Sequence, residues 1–141
     1  MLIELVVATL MVLITVSIHG AGLAVLGRFL RLESRAEIAR HVPSLSPRTL
    51  GVTLGLVLAL FALHGVEIWS YAAFYLFEGV VKDLETAVYF SATAYGAIGF
   101  GDVSLGSAWR LLGAIEGING VLLLGWSTAF FVTVVTRLGG R

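Results

Sequence analysis

The amino-acid sequence predicts an all-α membrane protein with three transmembrane helices and, before the third, a short re-entrant helix that leads into an irregular loop. Of its 141 residues, 58% are hydrophobic and 13% are charged, whereas soluble domains are roughly half apolar and a quarter charged. Three apolar runs are each about as long as a bilayer is thick. The glycine-rich stretch SATAYGAIGFGDV, residues 91–103, separates the second run from the third.

The first apolar run covers residues 2–27 and contains only two ionisable residues, Glu4 and His19. At about 1.5 Å per residue it reaches about 39 Å, which is enough to cross a bilayer. A cleaved signal peptide is the alternative, but the run is too long, its start carries no basic side chain, and no small-residue cleavage site follows. We therefore predict a transmembrane helix over residues 1–30, in which His19 is hydrogen-bonded.

Residues 31–48 are predicted to form a basic cytoplasmic loop. Of the nine Lys and Arg residues, all but Lys82 and Arg110 lie between residues 28 and 48 or in the C-terminal tail. Because Lys and Arg mark cytoplasmic segments, the N-terminus is expected outside and the C-terminus in the cytoplasm. The arginines either set this topology alone or also bind anionic lipid head groups.

The rest of the chain is predicted as a transmembrane helix, a short helix, an irregular loop and a third transmembrane helix, over residues 49–79, 83–95, 96–102 and 109–137. Ser46 and Pro47 are typical of a helix start, and Asp83 is a good N-cap for the short helix. The short helix is about 18 Å long, or half a membrane. The irregular backbone after it is tolerated at membrane depth only where it is buried in protein or lines a watery path.

The glycines of this loop indicate which of those two cases applies. Gly99 and Gly101 can adopt the unusual φ values that let successive carbonyls point the same way. Rings of such carbonyls from several chains can replace the hydration shell of a cation. Alternatively, the glycines only let helices approach closely, as expected for the pairs Gly51/Gly55 and Gly113/Gly117. The order of long helix, half helix, Gly-Phe-Gly-Asp and long helix favours the ion pathway.

The stretch YFSATAYGAIGFGDV resembles the pore signature of potassium channels, and the resemblance extends over about residues 50–136. It implies that residues 49–137 are a pore domain with an outer helix, a pore helix, a selectivity filter and an inner helix, to which an N-terminal helix is added. The filter would consist of Ala97, Ile98, Gly99, Phe100 and Gly101, with K⁺ bound by the backbone carbonyls of Ala97, Ile98, Gly99 and Phe100. Because one chain supplies one wall of the pore, the resemblance implies a homotetramer.

The resemblance also assigns roles to residues around the filter. Support for the filter is expected from Asp102, Tyr89, Phe90, Thr93 and Glu116. Gly120 occupies the position of a hinge glycine in the inner helix. The pore lining would consist of Val121, Leu124, Thr128, Val132 and Thr136, although ordinary packing within the span would also place the threonines on one helix face.

The chain departs from the family pattern in three ways. Gly96 and Ala97 stand where the family has paired threonines, so the innermost ion site lacks hydroxyl ligands. Phe100 stands where the family has tyrosine. Thr93 stands at the position of a carboxylate that pairs with the filter aspartate, so Tyr89 is the expected partner of Asp102.

Glu67 lies within the second predicted span and Glu116 about two turns into the third. A central carboxylate costs about 2.5–3.5 kcal/mol on insertion scales, so each needs a partner or water. Glu67 is expected to pair with His64, and Glu116 to brace the filter through Asn119 or the pore helix. Alternatively, either carboxyl is protonated or extends to the interface.

These observations predict a passive monovalent cation channel, selective for potassium, in the inner membrane of a bacterium. The alternatives are a weakly selective Na⁺/K⁺ channel, because Gly96 and Ala97 replace threonines, and a non-conducting membrane scaffold with a pore-like fold. The sequence carries no phosphate-binding loop, catalytic dyad or metal-ligand spacing, so we expect no enzymatic activity and no cofactor besides the permeant K⁺ or Na⁺. The expected partners are identical subunits and membrane lipids, with no nucleic acid.

Overall fold

The computed structural model describes residues 2–40, 47–101, 103, 105 and 109–139. This part of the chain is all-helical and contains four helices: α1 Leu2–Arg40, α2 Pro47–Phe77, α3 Leu84–Tyr95 and α4 Arg110–Gly139. Three segments are long and apolar enough to cross a membrane: Leu2–Leu30, Leu50–Phe77 and Arg110–Thr136. The predicted fold class, with three spans and a short helix before the third, is confirmed.

Helix α1 continues beyond its membrane-spanning part to Arg40. The first ten residues of the predicted 31–48 loop are therefore helical, which corrects that boundary. Their sequence, RLESRAEIAR, consists mostly of Arg, Glu, Leu and Ala, which are strong helix formers. Polarity alone does not end a helix, and this segment contains neither glycine nor proline. Pro47 begins α2 as predicted, whereas its expected N-cap Ser46 lies outside the described residues.

Helices α2 and α3 end in the same hydrogen-bonding pattern. After α2, Gly79 has a φ of 66°, its N–H donates to Leu76 O at 3.1 Å, and Val80 N–H donates to Tyr75 O at 2.9 Å. This pair of bonds is a Schellman motif, which closes a helix with a left-handed residue that is usually glycine. The second transmembrane helix therefore ends at Phe77, two residues before the predicted boundary.

At the end of α3 the left-handed residue of the motif is Ala97, with a φ of 53°. Its N–H donates to Ala94 O at 2.9 Å, and Ile98 N–H donates to Thr93 O at 2.8 Å. Gly96, where the sequence predicts the helix to end, is the C-cap and has an ordinary φ of −74°. The left-handed conformation is thus adopted by Ala97, one residue after Gly96, although glycine is the residue that usually adopts it.

The helices pack with α1 against α2 and α4, and with α3 between α2 and α4. Two apolar clusters form the interior: one includes Met11, Tyr75 and Leu112, and the other is built on Leu23, Leu56 and Leu60. A polar layer separates them along each long helix. Its buried polar side chains are Thr15, His19, Glu67, Ser91, Glu116, Asn119 and Ser127. This layer, and the loop that starts beside it after α3, are the functional candidates.

Candidate functional site

The loop after α3 has an alternating backbone. Ala97, Gly99 and Gly101 have φ values of 53°, 56° and 77°, whereas Ile98 and Phe100 between them do not have positive φ. Backbone that alternates between left-handed and right-handed residues can direct consecutive carbonyls to the same side of the chain. A row of carbonyl ligands requires such an arrangement.

The glycines of this loop serve conformation rather than close packing. A β-carbon added at Gly99 or Gly101 would meet no atom within 4 Å in the chain, but the positive φ of both residues is unfavourable for any L side chain. Gly51 and Gly55 also have open space around them, whereas a β-carbon at Gly117 would lie 3.0 Å from Ala94 O. Close packing therefore explains Gly117 and not the glycines of the loop.

The C-terminal end of α3 lies directly against α4. A β-carbon at Gly120 would lie 2.0 Å from Tyr95 O, and one at Gly113 would lie 3.2 Å from the Phe90 ring. Gly113, Gly117 and Gly120 thus form a glycine surface that receives α3. Gly120 was predicted as a hinge, but α4 passes through it as one continuous helix, and its visible role is this close approach.

The residues predicted to support the loop divide into three groups. Phe90 packs edge-on against the Tyr75 ring, at 5.3 Å between centroids, and Thr93 O accepts bonds from the N–H groups of Ile98 and Gly99. Tyr89 is partly exposed at 38%. Asp102 lies outside the described residues, so the pairing of Tyr89 with Asp102 stays a prediction.

Glu116 is fully buried and joins three helices. Its Oε2 accepts a hydrogen bond from Tyr75 Oη of α2 at 2.7 Å, and its Oε1 accepts one from Ser91 Oγ of α3 at 2.5 Å. The expected link between Glu116 and the short helix is present. Asn119, the other expected partner, instead donates to Thr15 Oγ1 at 2.8 Å and to Tyr71 Oη at 3.3 Å.

The predicted pore-lining side chains all lie on the part of α4 that its own chain leaves uncovered. They are Val121, Leu124, Thr128, Val132 and Thr136, and each is exposed. The hydroxyls of Thr128 and Thr136 donate to the carbonyls four residues earlier, Leu124 O and Val132 O, both at 2.8 Å. Their role in lining a pore stays a prediction, since exposure in one chain fits lipid, subunit and pore contacts alike.

A second cluster in the polar layer was only partly predicted. His64 Nδ1 lies 3.2 Å from Glu67 Oε2, as expected, but His19 of α1 also contacts Glu67, with Nδ1 2.8 Å from Oε1. His19 is therefore the hydrogen-bonded histidine that the sequence predicts. Tyr95 Oη donates to Glu67 Oε2, and Ser127 Oγ lies 3.0 Å from His64 Nε2. These five residues form the histidine cluster.

The histidine cluster corrects one expectation from the sequence. No ligand-like spacing relates the histidines, yet one ligand atom each of His19, His64 and Glu67 lies within 4.8 Å of the other two, close enough to hold a metal ion. The sequence offered one signal for the cluster, namely ionisable residues inside apolar spans. It could not show that helix packing brings position 19 to positions 64 and 67.

The N-terminus of α3 is fixed outside the spans by Asp83. Its side chain accepts bonds from the backbone N–H of Thr86 and from the Thr86 hydroxyl, both at 2.8 Å. These hydrogen bonds lower the pKa of Asp83, chiefly through the backbone N–H, because they stabilise the carboxylate. The predicted N-cap is therefore confirmed, and the short helix is held at both ends.

Comparison with known proteins agrees with this geometry. A family model described as an ion channel matches residues 52–137. The match begins within α2 and includes α3, the alternating loop and nearly all of α4, and it leaves out α1. No curated protein and no solved structure matches the chain.

Proposed function

This chain belongs to that ion-channel family, and we propose that it forms a homotetrameric channel for the passive flow of monovalent cations, with potassium preferred. Residues 52–137 are a pore domain of the potassium-channel type. Membership of an ion-channel family speaks for transport rather than for an enzymatic reaction. The observation that carries the proposal is the alternating backbone at residues 97–101.

The alternating backbone supports cation binding through its carbonyls. Carbonyls that point to one side can replace the water around a cation that has lost part of its hydration shell. The proposed ligands are the carbonyls of Ala97, Ile98, Gly99 and Phe100. The C-terminal end of α3 adds partial negative charge beside the first of them.

Exposure of the loop supports assembly into a tetramer. The side chains of Ile98 and Phe100 are 57% and 68% exposed in the single chain. Large apolar side chains on an irregular backbone at membrane depth need cover from protein. Neighbouring subunits would provide that cover and complete the ring of carbonyls, of which each chain holds one wall.

The degree of potassium selectivity depends on Ala97. Its side chain is a methyl group, so the innermost site has backbone carbonyls but no ring of hydroxyl ligands. A weakly selective Na⁺/K⁺ channel is therefore the second candidate. The fold and the pathway are the same in both, and the difference lies in how closely the site matches the size of K⁺.

Flux into proteoliposomes of the purified protein tests the proposal, first with a potassium gradient and then with a sodium gradient. Potassium uptake well above sodium uptake supports the selective channel, and equal uptake supports the second candidate. Ala97→Thr restores a hydroxyl and is expected to raise the ratio of potassium to sodium uptake. Ala92→Thr places the same side chain within α3 and serves as the control.

Absence of uptake from a protein verified as a tetramer would overturn the proposal in favour of a non-conducting scaffold. Uptake that appears only in the Ala97→Thr variant would have the same meaning for the natural chain. Cross-linking in membranes checks the oligomeric state separately. The proposed topology, with the N-terminus outside and the C-terminus in the cytoplasm of a bacterial inner membrane, is tested by the accessibility of cysteines introduced into this cysteine-free chain.

A further inference from the structure

The histidine cluster lies behind the proposed ion pathway, and nothing in that pathway uses it. We propose that His19, His64 and Glu67 bind a divalent transition-metal ion, with Zn²⁺ the best match to the donor set. One ligand atom of each residue lies within 4.8 Å of the other two. The site goes beyond the proposed channel function, because it includes α1, which the family match does not cover.

The ligand geometry supports a metal at this position. Both histidines direct the same ring nitrogen to one carboxylate: His19 Nδ1 lies 2.8 Å from Oε1 and His64 Nδ1 lies 3.2 Å from Oε2 of Glu67. Donor atoms around a tetrahedral Zn²⁺ with bonds of about 2.0–2.1 Å are about 3.3 Å apart. Since one ligand atom of each residue lies within 4.8 Å of the other two, movements of up to about 1.5 Å by these side chains would admit the ion.

The type of donor agrees with zinc. Two histidines and one glutamate form a known three-ligand set that leaves the fourth position of Zn²⁺ open. Tyr95 Oη lies 2.8 Å from His64 Nδ1, so this hydroxyl or a water is placed for the fourth position. Calcium and magnesium prefer sites built from oxygen atoms and are excluded by the two imidazoles.

A count of hydrogen-bond donors shows a deficit when both histidines are neutral and both donate to Glu67. An ionised carboxylate only accepts, so in that arrangement each Nδ1 carries the ring proton and each Nε2 is left as an acceptor. Both Nε2 atoms lie beside Ser127 Oγ, at 3.3 Å for His19 and 3.0 Å for His64. A serine hydroxyl has one proton and satisfies only one of them.

A metal ion removes this deficit, as one extra proton on either imidazole would. When a cation occupies the position between the Nδ1 atoms, each imidazole carries its proton on Nε2. Ser127 Oγ then accepts both N–H groups through its two lone pairs. Metal-bound histidines usually donate their second ring nitrogen in this way to a fixed acceptor, which orients the ligand. Ser127 would be that acceptor for both histidines.

The position of the site indicates its effect. His19 belongs to α1, His64 and Glu67 to α2, Tyr95 is the last residue of α3, and Ser127 belongs to α4. A bound ion would therefore fasten α1 to the pore domain beside the start of the alternating loop. The His64 side chain is 12% exposed, whereas those of His19 and Glu67 are fully buried. An ion would therefore enter the site past His64.

The test uses the whole protein in detergent after removal of metals with a chelator. Zn²⁺ is expected to raise the temperature of thermal unfolding, because it binds the folded chain preferentially, and Mg²⁺ is not. Co²⁺ is expected to give the intense visible absorption of a tetrahedral complex. This spectrum needs no variant, so it holds even where a substitution prevents folding.

Variants locate the site. His19→Gln and His64→Gln are each expected to abolish the Zn²⁺ shift, and Ser127→Ala, which keeps all three ligands, to weaken Zn²⁺ binding about 10- to 100-fold. His41→Gln changes the remaining histidine of the chain and is expected to leave the shift intact. If Zn²⁺ does not change the unfolding temperature of the wild-type protein, the proposal is overturned. The missing hydrogen-bond donor of the cluster would then be an additional proton on one imidazole. A shift that survives both ligand substitutions also overturns it.

Discussion

The backbone carbonyl of Tyr95 occupies the space that a side chain at Gly120 would need, since a β-carbon there would lie 2.0 Å from the Tyr95 oxygen. The end of α3 and the middle of α4 are thus in backbone contact. Because the alternating loop begins two residues after Tyr95, the position of that loop depends on this contact.

Gly120→Ala is expected to destabilise the protein by about 1–3 kcal/mol, the usual cost of overpacking a close contact. The measurement is thermal or denaturant unfolding in detergent. Gly125→Ala is the matched control on the same helix, because a β-carbon at Gly125 meets no atom within 4 Å and alanine favours the helix. Equal effects of the two substitutions would show that the contact with Tyr95 is unimportant.

Ala97→Gly is expected to stabilise the folded chain. A left-handed conformation costs an L-residue about 1–2 kcal/mol, and the greater freedom of glycine in the unfolded chain offsets about 0.4–1 kcal/mol of this gain. Ala92→Gly, within the body of α3, should have the opposite sign and destabilise by about 1 kcal/mol. Unfolding measurements on the two variants decide the matter, and a loss of stability in both would contradict the left-handed conformation of Ala97.

Removal of either partner of Glu116 is expected to destabilise the chain by about 1–3 kcal/mol, because a buried carboxyl oxygen loses its hydrogen-bond donor. The variants are Tyr75→Phe and Ser91→Ala. Their combined effect should differ from the sum, since both serve one carboxylate. Tyr71→Phe is the control, because the Tyr71 hydroxyl makes neutral hydrogen bonds, with Asn119 at 3.3 Å and with Thr15, each worth about 0.5–1.5 kcal/mol. A cost for Tyr71→Phe as large as that for Tyr75→Phe would contradict the assigned role of Glu116.

Asp83 should make stability depend on pH in the acid range. Its pKa is lowered in the folded chain, so its stabilising contribution is complete above the unfolded pKa of about 3.9 and is lost as the pH falls through the lower folded value. Unfolding temperatures between pH 7 and pH 3 should therefore fall less steeply for Asp83→Asn, which keeps a capping side chain without the charge. Parallel curves for both proteins would exclude this cap as a source of the dependence.

Much of the fold could be predicted because hydropathy, helix length and capping are local properties. The three spans and the cap at Asp83 depend on residues that are adjacent in sequence. The end of α1 cannot be predicted from polarity, because the polar residues after Leu30 are typical of a loop and are also good helix formers. The unusual φ values predicted at Gly99 and Gly101 are confirmed, whereas the left-handed conformation of Ala97 depends on the Schellman motif at the end of α3 and has no signal in the sequence.

The histidine cluster could not be predicted as a whole. The spans are apolar on all sides, so hydrophobic periodicity does not show which face of α1 meets which face of α2. Glu67 and His64 are one helical turn apart and could be paired from sequence. His19 and Ser127 join them only through the packing of α1 and α4, for which a single sequence contains no signal.

The polar layer also fixes the positions of the helices relative to one another along their axes. Leucine and valine surfaces fit together almost equally well after one helix slides along another by a turn, or about 5.4 Å. Such a slide would separate His19 from Glu67 and Glu116 from Ser91, and would leave buried polar groups without partners in the bilayer. The layer therefore determines the depth of each helix along the membrane normal. Because it fixes the depth of α3, it also fixes the depth at which a permeating ion would first meet the loop.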